Sequence, residues 1–274
     1  MKSAIFVFVF FLVFFCSLSM AGAGIGIAFS MLLGLLLVGG LEMLHQCTHN
    51  NAFNSPVFNR FFGRVFAALL LMNFHSYRKF HLDHHKYTNT GLDPERGLYS
   101  EQGRGPVFEW LLAPIGYLRF SLTVQRYAKD KGVNIRNDWR VSEAFRVAVV
   151  FSVLSCLVFF PTFVMFSYVI PFVIYSWVDF LFNQAEHYGC KVDGESYVCT
   201  SPGCVSNDVL VPAWMGFMIL FRNLHRVHHI HPMTKWYEAS NAHLVQSAVS
   251  TRNLTFSEFL RVYFSLGPRL WGHV

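Results

Sequence analysis

Charge is scarce in this chain, and where it is missing is more telling than how little there is. Only 14% of the 274 residues are charged, against 53% hydrophobic and 17% aromatic, a balance far more apolar than that of a soluble domain of this length. No charged residue occurs from Ser3 to Leu41 or from Val147 to Val178. Apart from Lys2, no Lys or Arg precedes Arg60; fourteen lie between Arg60 and Arg146 and seven from Lys191 onward. A pI near 9.1 suits nucleic acid in principle, but here the cations alternate with the apolar blocks. That is the positive-inside pattern, so no nucleic-acid partner is expected and both basic regions are assigned to the cytoplasm. The six cysteines (Cys16, Cys47, Cys156, Cys190, Cys199, Cys204) contain no CxxC pair. Most fall on the reducing side of this topology, so no disulfide framework is expected, and the Cys190/Cys199/Cys204 loop lacks the paired spacing of a structural zinc site. No internal repeat, low-complexity tract or Gly/Ser linker divides the chain, and residues 1–274 are expected to form a single membrane domain.

What is present is apolar length. At about 20 residues per crossing, Ser3 to Leu41 accommodates two spans, turning at Ala21-Gly22-Ala23-Gly24. Lys2, the apolar run and Ser19-Met20-Ala21 imitate a signal peptide. Cleavage there would leave one span before the basic region and break the charge alternation, so a transmembrane hairpin is preferred. A second hairpin is expected over Val147 to Val178, broken at Pro161-Thr162. Gly63 to Phe74, Val107 to Phe120 and Val205 to Phe221 are apolar but too short to span, and read as re-entrant or interfacial helices. The expected fold is all-α and integral to the membrane: four transmembrane helices in two hairpins, interfacial helices, and a cytoplasmic histidine-rich cap.

The thirteen histidines are arranged as well as numerous. His45 and His49 stand four apart at the end of the second span, which on a helix places both imidazoles on one face. His81, His84 and His85 form an HxxHH pattern, and His225, His228 and His229 repeat it about 140 residues later. The spacing predicts that the three nitrogens of each pattern converge with no long-range folding. Asp179, Asn183 and His187 follow at intervals of four where the fourth span ends. Nine imidazoles exceed the coordination sphere of one ion. With Asn183 as a tenth donor, directly or through water, the set fits two, although imidazole alone does not choose among iron, copper, zinc and nickel. A ligating imidazole usually donates its other N–H to an acceptor, for which Glu42, Asp83, Asp93, Asp179 and Glu186 are candidates. His75, His231, His243 and His273 fall outside these spacings and are expected to play no ligand role.

These residues resemble the membrane fatty acid desaturase and hydroxylase superfamily, whose members carry HxxxH or HxxxxH, HxxHH and HxxHH boxes. The matching stretches are His45-Gln46-Cys47-Thr48-His49, His81-Leu82-Asp83-His84-His85 and His225-Arg226-Val227-His228-His229, with Asn183-Gln184-Ala185-Glu186-His187 as a further element. Asn51-Ala52-Phe53, Asn59-Arg60, Asp93-Pro94-Glu95 and His231-Pro232 look familiar beside them, so the likeness runs from about Glu42 to Trp236. The resemblance implies two iron ions, O2 as cosubstrate, and removal of hydrogen from an unactivated C–H bond of a lipid-like substrate. Fatty acyl desaturation is the leading outcome, with carotenoid ketolation or hydroxylation as the nearest alternative. No cytochrome or ferredoxin domain is attached, which implies a separate electron donor of ferredoxin or cytochrome b5 type. A haem-binding or metal-transporting membrane protein is the rival from another class. Haem needs one or two axial imidazoles, and a transport path needs polar groups in mid-membrane, which the spans lack until Glu42 and Asp179.

Overall fold

The computed structural model describes residues 1–21, 25–95, 105–188, 206–247 and 254–266. The Gly22–Gly24 turn, the Cys190/Cys199/Cys204 loop and His273 lie outside them. The fold is predominantly helical. Four helices are long and apolar enough to cross a membrane: α1 (Lys2–Ser19), α2 (Gly26–Thr48), α7 (Asn137–Phe159) and α8 (Pro161–Glu186). The chain divides into two compact units, one of residues 1–79 and 114–178, the other of 80–113 and 179–274.

In the first unit, α2 is the central element and α7 the outermost: 67% of the apolar stretch of α2 is buried, against 6% for α7. Side chains that expose Phe151, Leu154 and Val158 on a helix of this hydropathy suit a lipid surface, not water. Close approach holds the interior together. A Cβ on Gly34 would stand 2.7 Å from Ile174, so α2 meets α8 nearly backbone to side chain. The Ser30 hydroxyl, on α2, donates to the Phe166 carbonyl of α8, a bond favoured where no water competes. A turn of π-helix, Met165–Val169, interrupts α8 at that level.

The segment expected as one short interfacial helix, Gly63 to Phe74, is instead a sharp bend. Helix α3 (Pro56–Leu69) and α4 (Phe74–Tyr87) meet at 97°. Ser55 caps α3, with Pro56 filling the first turn where no N–H is needed. Leu71 adopts a left-handed φ of 59°, and the Asn73 side-chain oxygen accepts from His75 and Ser76 N–H to start α4. Periodicity alone shows apolar continuity here and conceals the corner. Gly63 permits the corner to close, because a Cβ there would fall 2.4 Å from the buried Phe74 ring. Gly63→Ala is therefore expected to lower stability by about 1–3 kcal/mol through overpacking, read as a drop in melting temperature.

Helix α4 begins in the first unit and α8 ends in the second. The second unit also holds α5 (Pro106–Leu111), β1 (Val209–Leu210), α9 (Ala213–Met218), α10 (His225–Ile230), α11 (Ala239–Ser247), β2 (Leu254–Thr255) and α12 (Phe256–Leu266). Its core packs Leu181 and Ala185 of α8, with Tyr188 just beyond its end, against Val209, Phe259 and Tyr263. The all-α expectation is corrected by one small feature: β1 and β2 pair in parallel, Val209 opposite Leu254. Two residues per strand give no period-2 pattern to read. Val107 to Phe120, expected as one helix, is divided between α5 and α6 (Ala113–Asp130), and within Val205 to Phe221 the only helix among the described residues is the short α9.

Candidate metal centre

The second unit brings seven imidazoles from three chain segments into two adjoining groups. His84, His187, His225 and His229 form the first, every donor nitrogen lying within 4.8 Å of the others. His84 Nε2 is 3.3 Å from His229 Nε2, which is 3.0 Å from His225 Nε2. His81, His85 and His228 form the second, with His85 Nε2 2.9 Å from His81 Nε2 and 2.8 Å from His228 Nε2. The rings of His85 and His229, one from each group, have centroids 4.5 Å apart.

These groups correct the expectation that each HxxHH pattern closes on itself. Each helix gives the histidines at positions one and five of its box to one group and the histidine at position four to the other: His81 and His85 join His228, while His225 and His229 join His84. The reason is angular. At 3.6 residues per turn, positions i and i+4 differ by about 40° whereas i+3 lies about 60° to the other side, so the histidine at position four points away from the pair. Two such helices facing each other exchange that residue.

The donor set fits metal cations. A metal–nitrogen bond of about 2.1 Å places two nitrogens at a right angle about 3 Å apart, the separation found here. His84 Nδ1 stands 2.9 Å from Asp93 Oδ1; a carboxylate only accepts, so Nδ1 carries the proton and Nε2 presents a lone pair to the group. His81 Nδ1 is 3.5 Å from Glu95 Oε1. Burial alone pulls the His84 imidazole down, yet Glu95, Asp93 and Glu186 together hold it above its ordinary range. Burial in turn pushes Glu95 up to about 7, against the pull of His84. The carboxylates thus set up a demand for positive charge that a cation meets.

Two residues, Asn207 and Asp208, bring the segments together. Asn207 donates its side-chain N–H groups to the Ala185 and Tyr188 carbonyls and its backbone N–H to Glu186, closing the end of α8 beside His187. Asp208 accepts from the backbone N–H of Arg226 and Val227, capping the third box from outside its own helix, and also pairs with the Arg226 side chain and with His243 Nδ1 at 2.8 Å. His243 is thus a support for the box. His75 bonds Ser142 in the first unit, and His231 is exposed.

The remaining sequence candidates have defined places. Asn183 Oδ1 accepts from Arg222 Nη2 at 2.7 Å, and its Nδ2 donates to Asp179. Asp179 lies 2.6 Å from Arg222 Nη1 and Glu186 2.9 Å from Arg222 Nε, with Glu186 a further 3.9 Å from His225 Nδ1. Asp83 is buried on α4. In the first unit, His45 Nδ1 is 2.7 Å from Glu42, which also accepts from Gln46, and the ring of His49 lies edge-on to that of His45. Burial, reinforced by Arg78, holds His49 down to about 4, so it is a neutral imidazole at pH 7, the form that ligates metal. Sequence reasoning missed Arg222, Asn207, Asp208 and the role of His243. The Asp93-Pro94-Glu95 stretch was the available signal for Glu95; for Arg222 there was none beyond a lone cation closing an apolar segment.

A family profile described as fatty acid desaturase matches residues 21–259, spanning every box. The chain belongs to the fatty acid desaturase family. At the level of the family it is an oxidoreductase of lipid substrates and a membrane protein, and its histidine groups are suited to hold metal. Comparison with curated proteins returns no match.

Proposed function

We propose that this desaturase-family protein uses two iron ions and O2 to oxidise an unactivated C–H bond of a lipid-like substrate, with fatty acyl desaturation as the reaction. The observation that carries the reading is the exchange of His84 and His228 between the two boxes, which makes two adjoining nitrogen-rich groups where a single ion would need one. Nitrogen donors without thiolate suit iron, and iron supplies the O2 and one-electron steps that side chains cannot perform. His84, His187, His225 and His229 are to hold one ion and His81, His85 and His228 the other. His45 and His49, by their box spacing, are proposed as further ligands, with Asn183 contributing through water. Glu42 and Asp93 fix the tautomers of His45 and His84 by accepting their Nδ1 protons.

The boxes are placed on the cytoplasmic side by the charge alternation, within reach of a separate ferredoxin or cytochrome b5-type donor. The test is purification, anaerobic iron reconstitution, metal counting and analysis of lipid products. About two irons per chain and a new double bond are expected. A haem absorption band, or no iron retained, sinks the proposal; oxygenated carotenoid in place of an alkene replaces the substrate and outcome but keeps the centre.

A further inference from the structure

Helix α6 (Ala113–Asp130) has two faces rich in apolar side chains, and the described residues cover only one of them. Tyr117, Ser121, Val124 and Ala128 form the buried face. Within the first unit the Tyr117 ring meets Phe172 and Tyr175 of α8 edge-on, at centroid distances of 5.8 and 4.8 Å, and the Ser121 hydroxyl donates to the Leu71 carbonyl at the corner between α3 and α4. These contacts fix which way the rest of the helix points. About a third of a turn away stand Ile115, Leu118 and Leu122, three large aliphatic side chains that are each about half exposed. Along the far edge of that stripe run Arg119 and Arg126, both exposed and about two turns apart, with Lys129 exposed at the end of the stripe. The described residues offer none of these three cations an acidic partner, and the helix carries a single carboxylate, Asp130, as its last residue.

We infer that the outer face of α6 binds anionic phospholipid, its aliphatic stripe set into the acyl layer and Arg119 and Arg126 drawn to the headgroups beside it. An exposed apolar stripe bordered by Lys and Arg is the pattern of a helix lying in the plane of a bilayer surface, and here the other side of the helix rests on a membrane-crossing one. The bilayer boundary matches both halves of the face: hydrocarbon receives Leu118 and Leu122, and negative headgroups meet guanidiniums that have no carboxylate among the described residues. Phosphate is also an acceptor that a planar guanidinium can engage through two parallel bonds. A second copy fits less well, because pairing this face with itself sets like charges against each other. An acidic protein would satisfy the cations, but protein interfaces favour Trp and Tyr as anchors and this stripe is wholly aliphatic. The surface does not depend on the chemistry of the histidine groups.

The test places the full-length protein in phosphatidylcholine nanodiscs doped with a trace of either phosphatidylserine or phosphatidylcholine, each carrying a diazirine near the headgroup end of one acyl chain. After photolysis both probes are expected to label Leu118 and Leu122, phosphatidylserine several-fold more than phosphatidylcholine. The exposed Val158 and Phe159, at the uncharged end of α7, should show no such preference. A cation close to an anionic headgroup raises lipid affinity by up to about five-fold. Arg119→Gln combined with Arg126→Gln is therefore expected to reduce the preference to that at Val158 and Phe159, while phosphatidylcholine labelling of Leu118 persists and shows the helix still in place. Arg119→Lys with Arg126→Lys should keep most of the preference. Failure of both probes to label Leu118 and Leu122 overturns the surface, as do crosslinks between copies at the stripe, which would make it a helix interface. Equal labelling by the two lipids, or a preference untouched by the glutamine pair, overturns anionic recognition by the arginines.

Discussion

His84→Ala is expected to strip one ion and spare the other. Because His84 leaves its own box to join His187, His225 and His229, its loss opens that group while His81, His85 and His228 keep their donors. Changing a mere supporting partner of a ligand commonly weakens metal binding about 10–100-fold, so loss of the ligand itself is expected to cost at least about 100-fold at that group. Metal counting after anaerobic reconstitution should fall from about two irons per chain to about one, with turnover lost because O2 chemistry of this kind needs both. His81→Ala should strip the complementary ion. The pair of variants tests the exchange directly: if both single substitutions leave metal content unchanged, or if each removes both ions in equal measure at every iron concentration, the two-group assignment is wrong.

Arg222→Gln should destabilise the second unit by about 3–5 kcal/mol. Arg222 sits between the buried carboxylates of Asp179 and Glu186 and donates to Asn183, and removing its charge leaves both carboxylates without the guanidinium that pairs them. The energetic penalty comes chiefly from the stranded charges, not from the lost bonds, and that distinction can be measured. Adding Glu186→Gln to Arg222→Gln should recover part of the lost melting temperature, since one of the two stranded carboxylates is then neutral. A purely steric role for Arg222 predicts no recovery. Glu186 neighbours His187 and lies near His225, so the single substitution is also expected to broaden the spectroscopic signature of the reconstituted iron, and Arg222→Lys to restore stability only in part. A lysine carries the charge but cannot reach three acceptors with one planar fork.

Much of the candidate site was legible because its information is local. The i, i+3 and i+4 spacings fix which side chains share a helical stripe, and a chain with uncharged blocks long enough to span a bilayer has few soluble alternatives. The nine histidines picked out by spacing are, for the second unit, the seven that gather, and Asp93 and Glu186 were recognised from the same text. The unread part depends on contacts between residues distant in sequence. Asn207 and Asp208 look like any polar pair after a loop, yet they tie the end of α8 to the start of α10. Nothing near Arg222 announces that three acceptors will surround it. The corner at Gly63 to Phe74 was hidden because a left-handed Leu71 carries no compositional mark, unlike a glycine.

The amino-acid sequence by itself determined the membrane character, the four apolar spans and which histidines share a helical stripe, because hydropathy and helical periodicity are properties of consecutive residues. Only the tertiary structure decided which histidine serves which group. That choice follows from two helices facing each other, each turning its fourth position about 60° away from its first, and no single segment contains the partner that receives it.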